Sequence, residues 1–176
     1  MESIDNEFMA RAAIRECIIR IARGEDRRDA HLLRGAFWSD ATFDFGLQAG
    51  DLAAYLAWVV PGSAAIQTTQ HLLGQSYIEL DGASARAETH VLSHHRVLIN
   101  DAPKDIAVGG RYLDSLAFRD NQWRVSQRVM IYEWEQDWGP AANWSKGVLG
   151  CPLSAPHFAS RAQGDYSEQW FLGESP

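Results

Sequence analysis

The chain has 176 residues and a mass of 19.7 kDa, which is enough for one well-buried core and short for two. Apolar residues make up 46% of the sequence and charged residues 22%, close to the average of globular domains, which disfavours disorder, collagen and coiled coil. The net charge of −7 disfavours electrostatic binding to nucleic acid or to anionic lipid.

Three further features predict a cytoplasmic protein without a membrane span. The longest apolar run, 52–60, is far shorter than the roughly 20 residues that a helix needs to cross a bilayer. The N-terminus lacks the basic and apolar regions of an export signal. Cys17 and Cys151 are too few for a disulfide framework and fit a reducing compartment.

The first part of the chain has mostly helical patterns. Apolar residues recur at helical spacing near the N-terminus, and two aspartates stand where N-caps are expected. A short alternating stretch between the second and third helices predicts a strand, 40–46. The expected helices, in chain order, are 5–23 ended by Gly24, 30–37 with Asp29 as N-cap, and 52–60 with Asp51 as N-cap and ended by Pro61.

After the third helix the apolar period changes from 3.6 to 2, which is typical of strands. Helices followed by long antiparallel strands predict a single α+β domain over 1–176, with its core at about 5–136. The aromatic-rich tail, 137–176, is expected to cover the mouth of a barrel formed by the strands, or a subunit interface. The expected strands are 68–80, 83–99, 106–119 with a bulge at Gly109 and Gly110, and 122–135.

Aromatic residues make up 11% of the chain, which is an unusual share. Large rings dominate the burial of ordinary cores, and they also line pockets for flat apolar ligands. Composition alone does not divide these rings between core and pocket.

The histidines do not form an obvious metal site. On a strand, His90 and His94 share one face and His95 points to the other. Further metal ligands are not evident, so solvent-facing or core histidines are the simpler interpretation, and we expect no metal. The motifs of dinucleotide sites, P-loops, hydrolase elbows and zincins are absent from the sequence.

Three residues are candidates for chemistry, although each also has an ordinary structural explanation. Asp26 follows the first helix and suits a loop carboxylate, His71 opens a strand and suits a hydrogen-bonded core histidine, and Arg128 suits a salt bridge at the barrel rim. By the period of two, the strand face that carries Arg128 also carries Ser126, Met130, Tyr132 and Trp134.

Four stretches of the chain carry a family resemblance: RAAIRECIIRIARGEDRRD, FWSDATFDFG, QTTQHLLGQSYIEL and GGRYLDSLAFRDNQWRVSQR. They resemble the SnoaL-like branch of the nuclear-transport-factor-2-like superfamily. Within it, the sequence is most similar to the group of cofactor-independent dehydratases and dehydrochlorinases. The resemblance covers most of 11–135 but not the tail, and it implies a cone-shaped, curved antiparallel or mixed sheet, a half-barrel, packed on the N-terminal helices.

The resemblance also implies a mechanism. In that group an aspartate after the first helix holds a histidine on the first long strand, and the histidine removes a proton from the substrate; these positions fall on Asp26 and His71. An arginine that assists the leaving group in the dehydrochlorinase falls on Arg128. The implied protein is a lyase without cofactor or metal that acts on a hydrophobic, aromatic or polycyclic small molecule, as a homodimer or homotrimer.

General chemistry agrees with this implication, because a neutral histidine held by a carboxylate is an effective base near pH 7. The leaving group stays open between water, halide and formaldehyde. The first alternative is an isomerase or cyclase on the same scaffold. The second is a non-catalytic module, either ligand-binding or similar to the small subunit of an oxygenase. The candidate substrate-binding residues are Tyr55, Tyr112, Met130, Tyr132 and Trp134.

Overall fold

The computed structural model describes residues 2–154, 157–161 and 164–173. The helices are α1 (Glu2–Arg27), α2 (Ala30–Ala36), α3 (Leu52–Val59) and α4 (Tyr166–Phe171), with a 3-10 turn at Trp144–Lys146. The strands are β1 (Phe37–Asp44), β2 (Ala49–Asp51), β3 (Ile66–Asp81), β4 (Ser84–Ile99), β5 (Ala102–Arg119) and β6 (Gln122–Pro140).

The predicted N-caps are confirmed. The Asp29 carboxylate accepts hydrogen bonds from the backbone N–H groups of His31 and Leu32 at 2.8 and 3.1 Å. The Asp51 carboxylate accepts one from Ala54 at 2.8 Å. Each carboxylate satisfies donors of a first helical turn that have no partner within the helix, and so fixes where α2 and α3 begin.

The six strands form one open mixed sheet in the order β2-β1-β6-β5-β4-β3. The long strands pair antiparallel in the order β3–β4–β5–β6, and the other edge of β6 pairs parallel with β1. Helix α1 packs on the inner face of this sheet through Ile14, Ile18 and Ile21, which are fully buried. The α+β fold class is therefore confirmed, with the N-terminal helices on a mixed sheet that does not close.

The predicted end of the first helix at Gly24 is wrong, because α1 continues to Arg27. A side chain at Gly24 would lie 2.8 Å from Leu33 Cδ2, so this glycine permits the close approach of α1 and α2. The helix ends where Arg28 adopts a positive φ of 54°. Asp26 consequently lies in the last turn of α1 and not in a loop after it.

Two bulges in β6 correct the prediction that one strand face carries every second residue from Ser126 to Trp134. Ser126 is the extra residue of the first bulge, and the second, at the predicted Gly109–Gly110 position, lies between Tyr132 and Trp134. Trp134 pairs with Gly109, where an added methyl group would overlap the indole. Trp134 is thereby on the outer face of the sheet, opposite to the face of Arg128.

The tail begins later than predicted, because β6 continues to Pro140 beside Lys104 of β5. At its other end, α4 lies against α1: Arg23 donates to Glu168 at 2.8 Å, and its guanidinium lies 5.1 Å from the Phe171 ring centroid. Within the described residues, no helix combines the length and the apolar composition needed to span a membrane.

Candidate active site

The structure brings Asp26 and His71 together. The last turn of α1 places the Asp26 carboxylate beside β3, where Oδ1 lies 2.7 Å from Nδ1 of His71. Both carboxylate oxygens also lie 3.1 Å from the backbone N of His71. The Asp26 side chain is 14% exposed and the His71 side chain is 9% exposed. Because the Asp26 carboxylate is hydrogen-bonded to both the ring and the backbone N–H of His71, the orientation of the imidazole is fixed, and Nε2 points away from Asp26.

Glu25 occupies the opposite side of the same imidazole, and the sequence analysis missed it. Its Oε2 lies 3.4 Å from Nε2 of His71, and its side chain is 7% exposed. Tyr55 donates a short hydrogen bond to Oε1, and Tyr112 donates to Oε2 at 3.4 Å. The helical period contained a signal for its burial, because position 25 lies on the same face of α1 as the buried positions 14, 18 and 21.

Arg128 lies behind Glu25 in the interior. It is fully buried and donates from Nε and Nη2 to the Asp114 carboxylate, both at 2.8 Å. Its guanidinium also lies 4.1 Å from the Tyr112 ring centroid. The remaining nitrogen, Nη1, has no hydrogen-bond partner among the described residues and lies 3.8 Å from Glu25 Oε1. The salt bridge between Arg128 and Asp114 is therefore in the interior and not at the rim. Glu25 lies between Arg128 and His71.

The charges of this cluster alter the acid–base properties of its members. Burial would lower the pKa of His71, but the neighbouring Glu25 and Asp26 carboxylates outweigh it, so that the pKa is raised above its ordinary value. Burial and the charge of Glu25 raise the pKa of both Tyr55 and Tyr112. The two phenols consequently stay protonated as hydrogen-bond donors, and His71 holds a proton more tightly than a free imidazole.

The predicted substrate-binding residues occupy three different environments. Tyr55, Tyr112 and Met130 are buried, and both phenols bond to Glu25. Tyr132 is half-exposed on the inner face beside Gly110, whereas Trp134 lies on the outer face and is separated from the dyad by the sheet.

The aromatic rings beside the cluster belong to the core. Phe43, Phe45 and Tyr55 pack on one another with ring centroids 5.2 to 6.0 Å apart, and Trp58 and Tyr112 join them. A cavity of about 1210 Å³ does open beside Asp26. Its described lining includes four arginines, Arg27, Arg28, Arg34 and Arg161, and contains no aromatic residue. The cavity next to the dyad therefore differs from the apolar, ring-lined pocket that we expected.

The histidine cluster divides between the two faces of the sheet as predicted. His95 is on the inner face, with its ring centroid 6.2 Å from that of His71. Burial, together with the charges of His71 and His94, lowers the pKa of His95 to about 4, so this ring is neutral near pH 7. His94 faces the other way, 3.2 Å from Asp105 and stacked on Trp138. Among the described residues, no three potential ligands lie close enough together to hold a metal ion.

N-terminal helices packed on an open six-stranded mixed sheet are the architecture of the nuclear-transport-factor-2-like α+β cone fold. Within that class, the sequence model of the SnoaL-like domain matches residues 6–129, and the chain belongs to this family. No curated protein matches the sequence.

Solved structures share the fold at low sequence identity. A protein from Kribbella flavida is 23% identical, with a TM-score of 0.65 over 72% of this chain and 92% of its own. A candidate scytalone dehydratase from Novosphingobium aromaticivorans is 19% identical, with a TM-score of 0.69 over 79% and 94%. The hexachlorocyclohexane dehydrochlorinase LinA, type 2, is 17% identical, with a TM-score of 0.68 over 86% and 97%.

Proposed function

We propose that the protein is a cofactor-independent lyase. Its substrate is a small molecule from which His71 removes a proton while a leaving group departs from the neighbouring carbon. The observation that carries the proposal is the enclosed contact of 2.7 Å between Asp26 Oδ1 and His71 Nδ1. A carboxylate at Nδ1 keeps the proton there, leaves Nε2 as the acceptor, and stabilises the imidazolium that forms when the substrate is deprotonated.

The surroundings of the pair support catalysis over a purely structural role. A structural Asp–His contact needs no further charge, yet a second carboxylate, two phenols and a buried arginine surround the other side of the ring. Perturbed acid–base groups gathered inside a fold are a feature of active sites. Arg128 and the two phenols act on this site through Glu25, because they stabilise the negative charge of its carboxylate.

Family and neighbours agree with this reaction class. The SnoaL-like domain supplies a scaffold without a built-in cofactor, and two of the similar structures are described as a dehydratase and a dehydrochlorinase. Both of those names imply elimination from a small molecule, which is the reaction that a base next to an activated carbon performs.

The test is turnover of a panel of aryl β-hydroxy ketones, aryl-propanols and chlorinated cyclohexanes by the purified protein in deuterated water, with product analysis. We expect elimination products, and a loss of roughly 10²–10⁴-fold in kcat/KM for His71→Ala, the usual contribution of a general base. His90→Ala, on the outer face, is the matched control and should retain activity. Undiminished turnover by His71→Ala would overturn the assignment, and deuterium returned to another substrate carbon would indicate an isomerase instead.

A further inference from the structure

Glu25 is a buried carboxylate that the Asp26–His71 pair does not require. It receives contacts from four separate elements, which are Tyr55 of α3, His71 of β3, Tyr112 of β5 and Arg128 of β6. A buried charge is costly unless charged partners and hydrogen bonds compensate it. Such a cluster around one carboxylate, directly at the free nitrogen of the base, indicates a role in moving the proton.

The geometry allows one proton between His71 and Glu25. Nδ1 of His71 is engaged by Asp26, so Nε2 is the atom that exchanges protons. With Nε2 and Glu25 Oε2 only 3.4 Å apart, two facing lone pairs would repel each other. Either Nε2 or the Glu25 carboxyl must therefore carry a proton, so that one proton is held between the two groups.

Other titratable groups that face this pair come from every neighbouring element. Asp26 on α1 and His95 on β4 lie beside the His71 ring, while Tyr55, Tyr112 and Arg128 surround Glu25. Tyr132 on β6 lies farther out, where burial and the charge of Glu25 raise its pKa. The phenols and the unpartnered Nη1 of Arg128 are donors, so they support Glu25 as a carboxylate after it has given up its proton.

We propose that Glu25 is the catalytic acid of the reaction, and that the natural leaving group is an oxygen, as water or an alcohol, and not a halide. The inference rests on the proposed lyase function. Hydroxide and alkoxide are poor leaving groups that need a proton as they depart, whereas chloride leaves as the anion and needs none. An acid at Nε2 therefore assists an oxygen leaving group and gives no advantage with a chloride.

The proton balance closes within the site. The substrate C–H bond breaks, its proton goes to His71 Nε2, and its electron pair forms the new double bond. Glu25, which carries a proton while Nε2 is free, gives that proton to the departing oxygen as the C–O bond breaks. The proton on Nε2 then passes to the Glu25 carboxylate across the 3.4 Å contact. The products are the alkene and water or alcohol, and His71 and Glu25 return to their starting protonation.

The first experiment compares 4-hydroxy-4-phenylbutan-2-one with its 4-chloro analogue, which differ only in the leaving group. We expect Glu25→Gln, which keeps the size of the side chain but cannot transfer a proton, to lower kcat/KM roughly 100-fold or more for the alcohol and under about 10-fold for the chloride. Glu79→Gln, an exposed carboxylate on β3, is the matched control. Equal losses on both probes, or none on the alcohol, would overturn the proposal.

The second experiment needs no substrate and tests the contact between Glu25 and Nε2 on which the acid role depends. The ¹⁵N chemical shifts of His71 are followed against pH in the wild type, Glu25→Gln and Glu79→Gln. We expect Glu25→Gln to lower the pKa of His71 by about one pH unit or more and Glu79→Gln to leave it unchanged. An unchanged titration in Glu25→Gln would overturn the coupling on which the acid role depends. A His71→Ala variant active on both probes would instead overturn the lyase assignment.

Discussion

Two consecutive carboxylates at the end of one helix contact the two nitrogens of one imidazole. Asp26 reaches Nδ1 and Glu25 reaches Nε2 because the last turn of α1 ends against β3, with the His71 ring between them. The same two negative charges make the ring more basic and oppose its use as a neutral base. The pH at which His71 becomes neutral is consequently a sensitive measure of each carboxylate.

For the Asp26→Asn variant, we expect a changed pH profile. In the wild type, kcat/KM for the 4-chloro probe, whose leaving group needs no acid, should rise with pH through an inflection above the ordinary imidazole pKa of about 6.5, because His71 must lose a proton before it can act as a base. Removing the negative charge of Asp26 should move this inflection to lower pH and lower the plateau roughly 100-fold, since the imidazolium loses its partner. Steady-state rates across the pH range test both effects, and an inflection unchanged in Asp26→Asn would contradict the role of Asp26.

At the scale of elements, the packing of α1 against α2 depends on Gly24. A β-carbon there would lie 2.8 and 2.9 Å from Cδ2 and Cγ of Leu33, and Leu33 is fully buried in the core, where side chains are closely packed. Because Glu25 and Asp26 follow directly, this close approach also sets the position of the site.

Gly24→Ala should therefore destabilise the fold by about 1–3 kcal/mol, as overpacking in a core usually does, despite the higher helix propensity of alanine. Gly35→Ala in α2 is the matched control. No atom lies within 4 Å of a β-carbon at Gly35, so this substitution should stabilise by about 0.5–1 kcal/mol. Urea unfolding monitored by circular dichroism measures both changes, and a stabilised Gly24→Ala protein would contradict this account of the helix contact.

The elements also show why local patterns predicted some features and not others. The N-caps Asp29 and Asp51 act on their own helices, so the sequence signal was sufficient. The face of Trp134 depended on bulges in the pairing of β5 with β6, and strict alternation failed there. Gly24 reads locally as a helix stop, and only the neighbouring α2 shows that it is a contact position.

At the scale of the whole molecule, the order of helices and long strands predicted the α+β class, but not the complete sheet. The parallel pairing of β1 with β6 joins residues far apart in sequence, and no local period encodes such a partner. The contact between Asp26 and His71 followed from the family resemblance, because their separation along the chain hides it from any local pattern. Glu25 was missed because a single charged residue next to another reads as a solvated helix end.

The stability of the whole chain should decline on both sides of neutral pH through two histidines with opposite shifts. The raised pKa of His71 means that the native state holds its proton more tightly than the unfolded chain, so this contribution is full below about pH 6.5 and is lost as pH rises through the native value. His95 acts in reverse: burial, with the charges of His71 and His94, lowers its pKa to about 4, so stability is lost as the pH falls from about 6.5 towards that value.

For His95 alone, this linkage amounts to about 2 kcal/mol of unfolding free energy between pH 7 and pH 5. His95→Asn should therefore lose less stability over that interval than the wild type, by a similar amount. His90→Asn, on the outer face of the same strand, should follow the wild-type dependence because its ring is not enclosed with His71. Urea titrations of the three proteins at pH 7 and pH 5 measure the difference, and parallel declines in all three would show that a neutral, buried His95 does not contribute to the acid sensitivity of the fold.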